Sequence, residues 1–325
     1  MTHVIGVDLG GTKTAAGVVS SSGEVLMSDT IPTLNRAGGE AILDATAALI
    51  AGLVERAADA GLTVSGVGVG SAGVIDAATG TVVSATDAIL GWAGTSLTAG
   101  LAARLSFPAA AVRAVNDVHA HALGEAWLGA AAGTSSSLMV AFGTGVGGSF
   151  VLNSAPLLGH RFVGGHVGHF ASPLAAFDGA PLPCVCGGSG HVEAVASGPA
   201  IHESFLRFGG SAAEATDTRG VFALANGTHD AGAGANSAAS LTAASRAIEL
   251  GAAAAGQAVG GLINILDPEF VVISGGLADA GELWWKPMEA ALRQELLAPL
   301  AAVPVVRATL GNSAAIVGAA KLVLS

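Results

Sequence analysis

Short apolar runs of strand length and clusters of turn-forming residues alternate along this chain in a pattern that repeats. His3-Val-Ile-Gly-Val-Asp8 is an apolar run that closes on a carboxylate; Leu9-Gly-Gly-Thr-Lys13 follows as a tight turn and Thr14 to Ser20 as a second strand. Ser21-Ser-Gly23 turns the chain again, and Glu24 to Thr30 supplies a third strand. Between Gly39 and Ala60 the period changes to that of a helix: Ile42, Leu49 and Leu53 share one face, and Gly61 is placed to end it. Thr63 to Val69 is nearly continuous in apolar residues, as a strand buried on both faces of a parallel sheet requires.

The strand, glycine turn, strand unit then recurs. Ser137 to Phe142 is apolar, Gly143-Thr-Gly145 turns, and Gly148 to Asn153 returns; a third turn, Ser274-Gly-Gly276, follows the run Glu269 to Ile273. Ser240 to Leu266 predicts a long helix and Asn312 to Val323 a closing one. The duplication predicts an α/β protein of two lobes facing each other across a cleft. The first lobe takes residues 1–117, with 312–325 packed back on it; the second takes 118–311. Gly209 to Ala239, dominated by Gly, Ala, Asn and Asp, reads as a mobile excursion around a short helix.

Composition narrows the class. Hydrophobic residues make up 51% of the 325 and charged ones 11%, which excludes global disorder. The mean hydropathy of +0.64 comes from Ala and 48 Gly rather than from Leu, Ile and Phe runs of the ~20 residues a spanning helix needs. No basic stretch followed by an apolar one succeeds Met1, so a cytoplasmic protein without a membrane partner is expected. A net charge of −11 excludes a nucleic-acid partner, which calls for a basic face. It does not exclude small anions, because backbone amides can hold those. The only cysteines, Cys184 and Cys186, are too close for an ordinary structural disulfide and point to a reducing compartment with a metal or redox role.

Four motifs carry candidate chemistry. Asp8 with Gly10-Gly-Thr-Lys13 suits a phosphate-binding hairpin: the amides of Gly10 and Gly11 approach phosphate, Thr12 adds a hydroxyl, Lys13 a charge, and Asp8 can hold Mg²⁺. An ordinary hairpin with a strand-end Asp has the same pattern. Gly143-Thr-Gly-Val-Gly-Gly148 matches the dinucleotide fingerprint formally, but a strand follows it and the acidic ribose partner is missing, so a second phosphate turn fits better than an NAD site. Asn116-Asp117 ends a strand and starts a helix; Asp117 is there either to accept a proton from an attacking hydroxyl or to cap the helix. His169, Cys184, Cys186 and His191 offer four ligands for tetrahedral zinc, against the plainer reading of free thiols and scattered histidines. His119, His121 and His160 have no partner spacing and read as structural or exposed.

Together these motifs resemble the ROK family of sugar kinases and their relatives of actin-like, RNase H-like fold. The likeness covers essentially the whole chain: Asp8-Leu-Gly-Gly-Thr-Lys13, Val69-Gly-Ser-Ala-Gly-Val-Ile-Asp76, Asn116-Asp117, Gly143 to Gly148, His166-Val-Gly-His169 and Cys184-Val-Cys-Gly-Gly-Ser-Gly-His-Val-Glu193. The resemblance implies Asp117 as catalytic base, and Gly73, Thr86, Asn116, His166, His169 and Glu193 around the sugar. It implies Asp8, Gly10, Gly11, Thr12, Lys13, Thr144, Gly145, Gly275 and Gly276 around Mg²⁺ and ATP. Zinc at His169, Cys184, Cys186 and His191 within loop 166–193, ATP and sugar sites in the cleft, and a homodimer follow from the same likeness.

Two positions depart from the family pattern. His191 stands where a third cysteine is usual, and its longer side chain requires either that the loop shift or that the site hold no metal. His166 stands where the family's E-x-G-H has Glu; an imidazole can donate to a carbonyl oxygen such as that of an N-acyl group. The H-x-G-H form, with Ser71 to Ile75 and Ala194 to Gly198, resembles bacterial N-acetylmannosamine kinases and implies phosphorylation of that sugar at the 6-hydroxyl. Glucokinase and N-acetylglucosamine kinase are the alternatives within the class. A non-catalytic sugar-binding regulator is the alternative outside it; regulators of this family carry a helix-turn-helix before the core, for which a hairpin starting at Val4 leaves no room.

Overall fold

The computed structural model describes residues 2–86, 88–228 and 237–324. The chain begins β1 (His3–Leu9), β2 (Lys13–Ser20), β3 (Val25–Pro32), α1 (Gly39–Asp59), β4 (Val64–Ser71), β5 (Val74–Asp76), β6 (Thr81–Ser84). It continues α2 (Leu97–Leu105), β7 (Val112–Asn116), α3 (Asp117–Trp127), β8 (Ser136–Phe142), β9 (Val146–Leu152), β10 (Ala155–Pro156), β11 (Ala176–Phe177), β12 (Ala180–Pro181). Then come α4 (Glu193–Ala196), α5 (Gly198–Arg207), α6 (Thr218–Ala225), α7 (Ala238–Leu266), β13 (Phe270–Ser274), α8 (Glu282–Glu295), β14 (Val305–Arg307) and α9 (Ala314–Leu324). The chain packs as two compact units, Met1–Ser137 with Ser149–Gly165 and Ala308–Ser325, and Leu138–Gly148 with His166–Arg307.

In the first unit a five-stranded sheet runs in the order β3-β2-β1-β4-β7. The turn at Gly10–Thr12 makes β1 and β2 antiparallel, whereas β1, β4 and β7 are parallel. The parallel register sets Leu9 beside Ser71 and Ser71 beside Asn116, so the carboxyl ends of three strands lie in one row. Asp8 is one residue before that row and Asp117 one residue after it. Ile5, Val7, Leu9, Val67 and Val69 join Ile42, Ile50 and Leu53 of α1 and Leu97 and Leu101 of α2 in the main core. On the other side α9 lies across β1 and β4 and against α3. A Cβ on Gly6 would overlap the carbonyl of Ile316, and one on Gly68 that of Ala319; Gly318 and Gly124 likewise face the carbonyls of Ala120 and Ala314. These four glycines serve close packing, of α9 on the sheet and of α9 on α3.

The second sheet runs β10-β9-β8-β13-β14. In the second unit α7 packs along α8 and against α4, α5 and α6, with Gly256 beside the Met288 carbonyl and a Cβ on Gly260 only 2.8 Å from that of Leu292. Among the described residues α7 is the one helix long and apolar enough to cross a membrane, but 56% of its most apolar window is buried. Its hydropathy is that of a core helix. The predicted strands and helices are present, with ends moved by a residue or two; the returning strand, for example, starts at Val146 rather than Gly148. The short helix expected between Gly209 and Ala239 is α6, held at its start by the Asp217 carboxylate, which accepts from the Gly220 N–H at 2.8 Å. Residues 229–236 of that segment lie outside the described residues.

Candidate functional site

The first unit gathers two carboxylates and a loop of amides. Burial, reinforced by the neighbouring Asp117 and opposed by Lys13, pushes the Asp8 carboxyl up to about 6. Asp117 is the first residue of α3. Asn116 is the cap: its side-chain oxygen accepts from the Val118 N–H at 2.9 Å, and Asp117 Oδ1 accepts from the same N–H at 2.9 Å. Asn116 and Asp117 therefore share the Val118 N–H at the start of the helix, and the Asp117 carboxylate stands at the carboxyl end of β7. The Asn116 amide also donates to the Gly73 carbonyl at 2.9 Å, which joins two of the residues expected around the sugar. Gly73 has φ +97°, and a Cβ there would sit 2.8 Å from the Ser84 carbonyl. Thr86 is exposed beyond β6.

The hairpin at Gly10–Lys13 is braced from the end of β3 by residues that sequence reasoning missed. The Thr33 hydroxyl donates to the Gly10 carbonyl at 2.8 Å and the Asn35 amide to the Gly11 carbonyl at 2.9 Å. The Thr33 N–H reaches the Thr12 carbonyl at 3.0 Å. Three successive carbonyls are thus tied down on one side of the turn, while Thr12 and Lys13 are exposed. A hydroxyl and an amide directly after a strand that pairs with the turn's own strand were the available signal.

The second unit carries the other two turns. Gly143 and Thr144, Pro199 of α5, Thr218 and Phe222 of α6, and Gly276 bound a cavity of about 540 Å³. The Gly198 N–H donates to the Gly143 carbonyl at 2.8 Å and the Thr218 hydroxyl to the Gly198 carbonyl at 2.6 Å, which fixes α5 and α6 to the turn. A side chain on Gly143 or Gly276 would meet open space. Gly275, with φ +84°, is instead pressed against the Phe142 backbone, and a Cβ on Gly145 would stand 2.7 Å from Glu193 Oε2. The cavity wall from α6 went unread because its surroundings are rich in Gly and Ala; the Asp217 cap followed by Val221 and Leu224 was the legible part.

His169, Cys184, Cys186 and His191 come together with their ligand atoms all within 4.8 Å of one another. A pair of strand-like segments brings them there: Ala171 bridges His191, and the Val192 N–H reaches the Phe170 carbonyl at 3.0 Å. Cys184 Sγ is 3.6 Å from His169 Nδ1 and Cys186 Sγ 3.2 Å from His191 Nδ1. Zinc bonds of about 2.0–2.3 Å in a tetrahedron need ligand separations of roughly 3.3–3.8 Å; two thiols and two imidazoles are the right donors, the two Cys–His pairs lie near that spacing, and pairs as wide as 4.8 Å would have to draw in around an ion. His191 presents its nearer ring nitrogen, and Gly188 leaves room for the ring, since a Cβ there would lie 2.6 Å from Cε1. That is how the loop accepts the longer side chain. His166 is exposed and its ring centre stands 6.2 Å from that of His169, outside the four. Of the remaining histidines, His119 is buried with Nδ1 2.8 Å from Ser149 Oγ, and burial holds His121 below the usual imidazole range against the opposing pull of Glu125.

Known proteins are similar to this chain over nearly its whole length. A glucokinase of Streptomyces coelicolor is 34% identical over 99% of this chain and 98% of its own. An N-acetyl-D-glucosamine kinase of Salmonella paratyphi A is 31% identical over 98% of this chain and 99% of its own. The crystal structure of a ROK family glucokinase from Streptomyces griseus, in complex with glucose and AMPPNP, superimposes with a TM-score of 0.76 at 28% identity, covering 98% of each chain. The ROK family pattern itself matches residues 4–325, and the chain belongs to the ROK family.

Proposed function

We propose that this protein is an ATP-dependent sugar kinase that transfers the γ-phosphoryl group to the 6-hydroxyl of N-acetyl-D-mannosamine. The observation that carries the kinase reading is the placing of Asp117: a carboxylate at the start of α3, at the carboxyl end of a parallel strand and next to the buried Asp8. Asp117 takes the proton of the attacking hydroxyl, as a base within reach of it does. In the first unit Asn116 and Gly73 serve the sugar, and in the second Glu193 and His169 do. The braced amides of Gly11 and Thr12 and the turns at Thr144 and Gly276 serve the phosphates. The cavity lined by Pro199, Thr218 and Phe222 has the size and the apolar walls for a nucleoside. A buried carboxylate with a second one beside it also suits Mg²⁺, which would arrive with ATP and neutralise charge at Asp8. His169, Cys184, Cys186 and His191 would hold zinc as a structural ion that fixes the loop carrying His166 and Glu193.

His166 supports the choice of sugar. Its exposed imidazole can donate to the carbonyl oxygen of a 2-acetamido group, which a glutamate cannot do. Glucose is the second reading, favoured by the 34% identity to a glucokinase. Release of ADP, followed with N-acetyl-D-mannosamine, N-acetyl-D-glucosamine and glucose in turn, decides between them. The expected result is a kcat/KM for N-acetyl-D-mannosamine at least about 10-fold above the others, the scale of one added contact. A preference for glucose overturns the sugar, and no ADP with any sugar overturns the kinase.

A further inference from the structure

The Gly143–Gly148 turn is held by a carboxylate from outside itself. Glu193, the first residue of α4, accepts the Val146 N–H at Oε2, 2.7 Å away. Gly145 has no side chain at the point where one would strike that same oxygen. The segment before the metal cluster leans on the same strand: a Cβ on Gly168 would overlap the Val146 carbonyl, and one on Gly148 would sit 3.0 Å from a methyl of Val167. Among the described residues no hydrogen-bond donor reaches Glu193 Oε1.

A carboxylate next to a phosphate-binding turn repels phosphate, so direct contact with the nucleotide is not what Glu193 is placed for. A carboxylate that accepts a backbone N–H does fix that stretch of backbone, and the charge makes the bond a strong one. We propose that Glu193 is a positioning residue which ties sugar occupancy to nucleotide affinity: Oε2 holds the turn while Oε1 takes a sugar hydroxyl. This rests on the kinase reading above. In the absence of sugar the carboxylate rotates about its last bonds and the turn moves with it. A sugar hydroxyl on Oε1 stops that rotation, the nucleotide then meets an ordered turn, and by linkage the nucleotide tightens the sugar by the same factor.

Two substitutions separate this role from simple sugar contact. Glu193→Asp keeps the charge but shortens the reach by about 1.5 Å, the length of one carbon–carbon bond, and Val146 is lost. Glu193→Gln loses the charge but keeps an oxygen within reach of Val146. Calorimetric titration of the full chain with AMPPNP, with and without N-acetyl-D-mannosamine or glucose, reads both, and thermal unfolding confirms that each variant is folded. The expected result is about 10-fold weaker AMPPNP binding by Glu193→Asp without sugar, no tightening when sugar is added, and a smaller loss, about threefold, for Glu193→Gln, whose neutral oxygen makes a weaker bond to Val146. If Glu193→Asp binds AMPPNP like the parent and only its sugar KM rises, the proposal is overturned and Glu193 is a sugar contact alone. A parent protein that binds no AMPPNP overturns the kinase reading, and the coupling with it.

Discussion

Asp8 is a carboxyl that the fold holds against its own preference. Its pKa of about 6 stands above the ordinary aspartate value of 3.8, so between those values the folded protein binds a proton that the unfolded chain has given up. Stability therefore falls as pH rises through that window, and above pH 6 the deficit is on the order of 3 kcal/mol. Asp8→Asn removes it: the melting temperature should rise by several degrees at pH 8 and stay nearly unchanged at pH 4, while turnover is lost. Thermal unfolding at the two pH values checks this, and equal shifts at both would contradict it. Asp117→Asn is expected to act differently, cutting kcat by about 10²–10⁴-fold, the usual worth of a general base, with little change in melting temperature. A single-turnover assay reads the loss, and retained activity would remove Asp117 as the base. Both aspartates were legible in the sequence because each closes or follows an apolar strand run. Thr33 and Asn35 were not, since their partners are carbonyls brought to them only by the pairing of β2 with β3.

At the scale of elements, a buried carboxyl and a cluster of His and Cys side chains do the joining. Glu125, buried near the end of α3, accepts from the Ala130, Thr309 and Leu310 N–H groups at 2.8–3.0 Å, and so ties α3 to the approach to α9. Glu125→Ala leaves those amides unsatisfied and should cost about 3 kcal/mol or more, read as a lower denaturation midpoint. The loop 166–193 has little regular structure of its own, and the four-ligand cluster is its centre. Metal analysis of the purified protein should give about one zinc per chain. His191→Ala should lose it, and His191→Cys, which restores a thiolate, should keep it; zinc retained by His191→Ala would exclude that residue as a ligand. The cluster was readable from spacing. The pairing of 170–172 with 190–192 that assembles it was not, because a few bridges between loop segments leave no periodic trace. Nor was the reach of Glu193 to Val146, which joins residues that only the folded loop brings together.

At the scale of the whole molecule, alanine and glycine give the chain its hydropathy and its close packing: their small side chains let α7 sit tightly on α8 and α9 on β1 and β4. The second of these contacts bears on the order of folding. The groove over Gly6 and Gly68 is shaped by strands near the start of the chain, yet α9 fills it from near the far end. Contacts of such separation form late, because a long loop must close before they repay its entropy. During synthesis the N-terminal sheet therefore waits, one face uncovered, until α9 has emerged, whereas residues 166–307 follow one another without interruption within their own unit and can consolidate first. The first unit is thus closed only by contacts between residues far apart in sequence, and without α9 one face of its sheet has no cover.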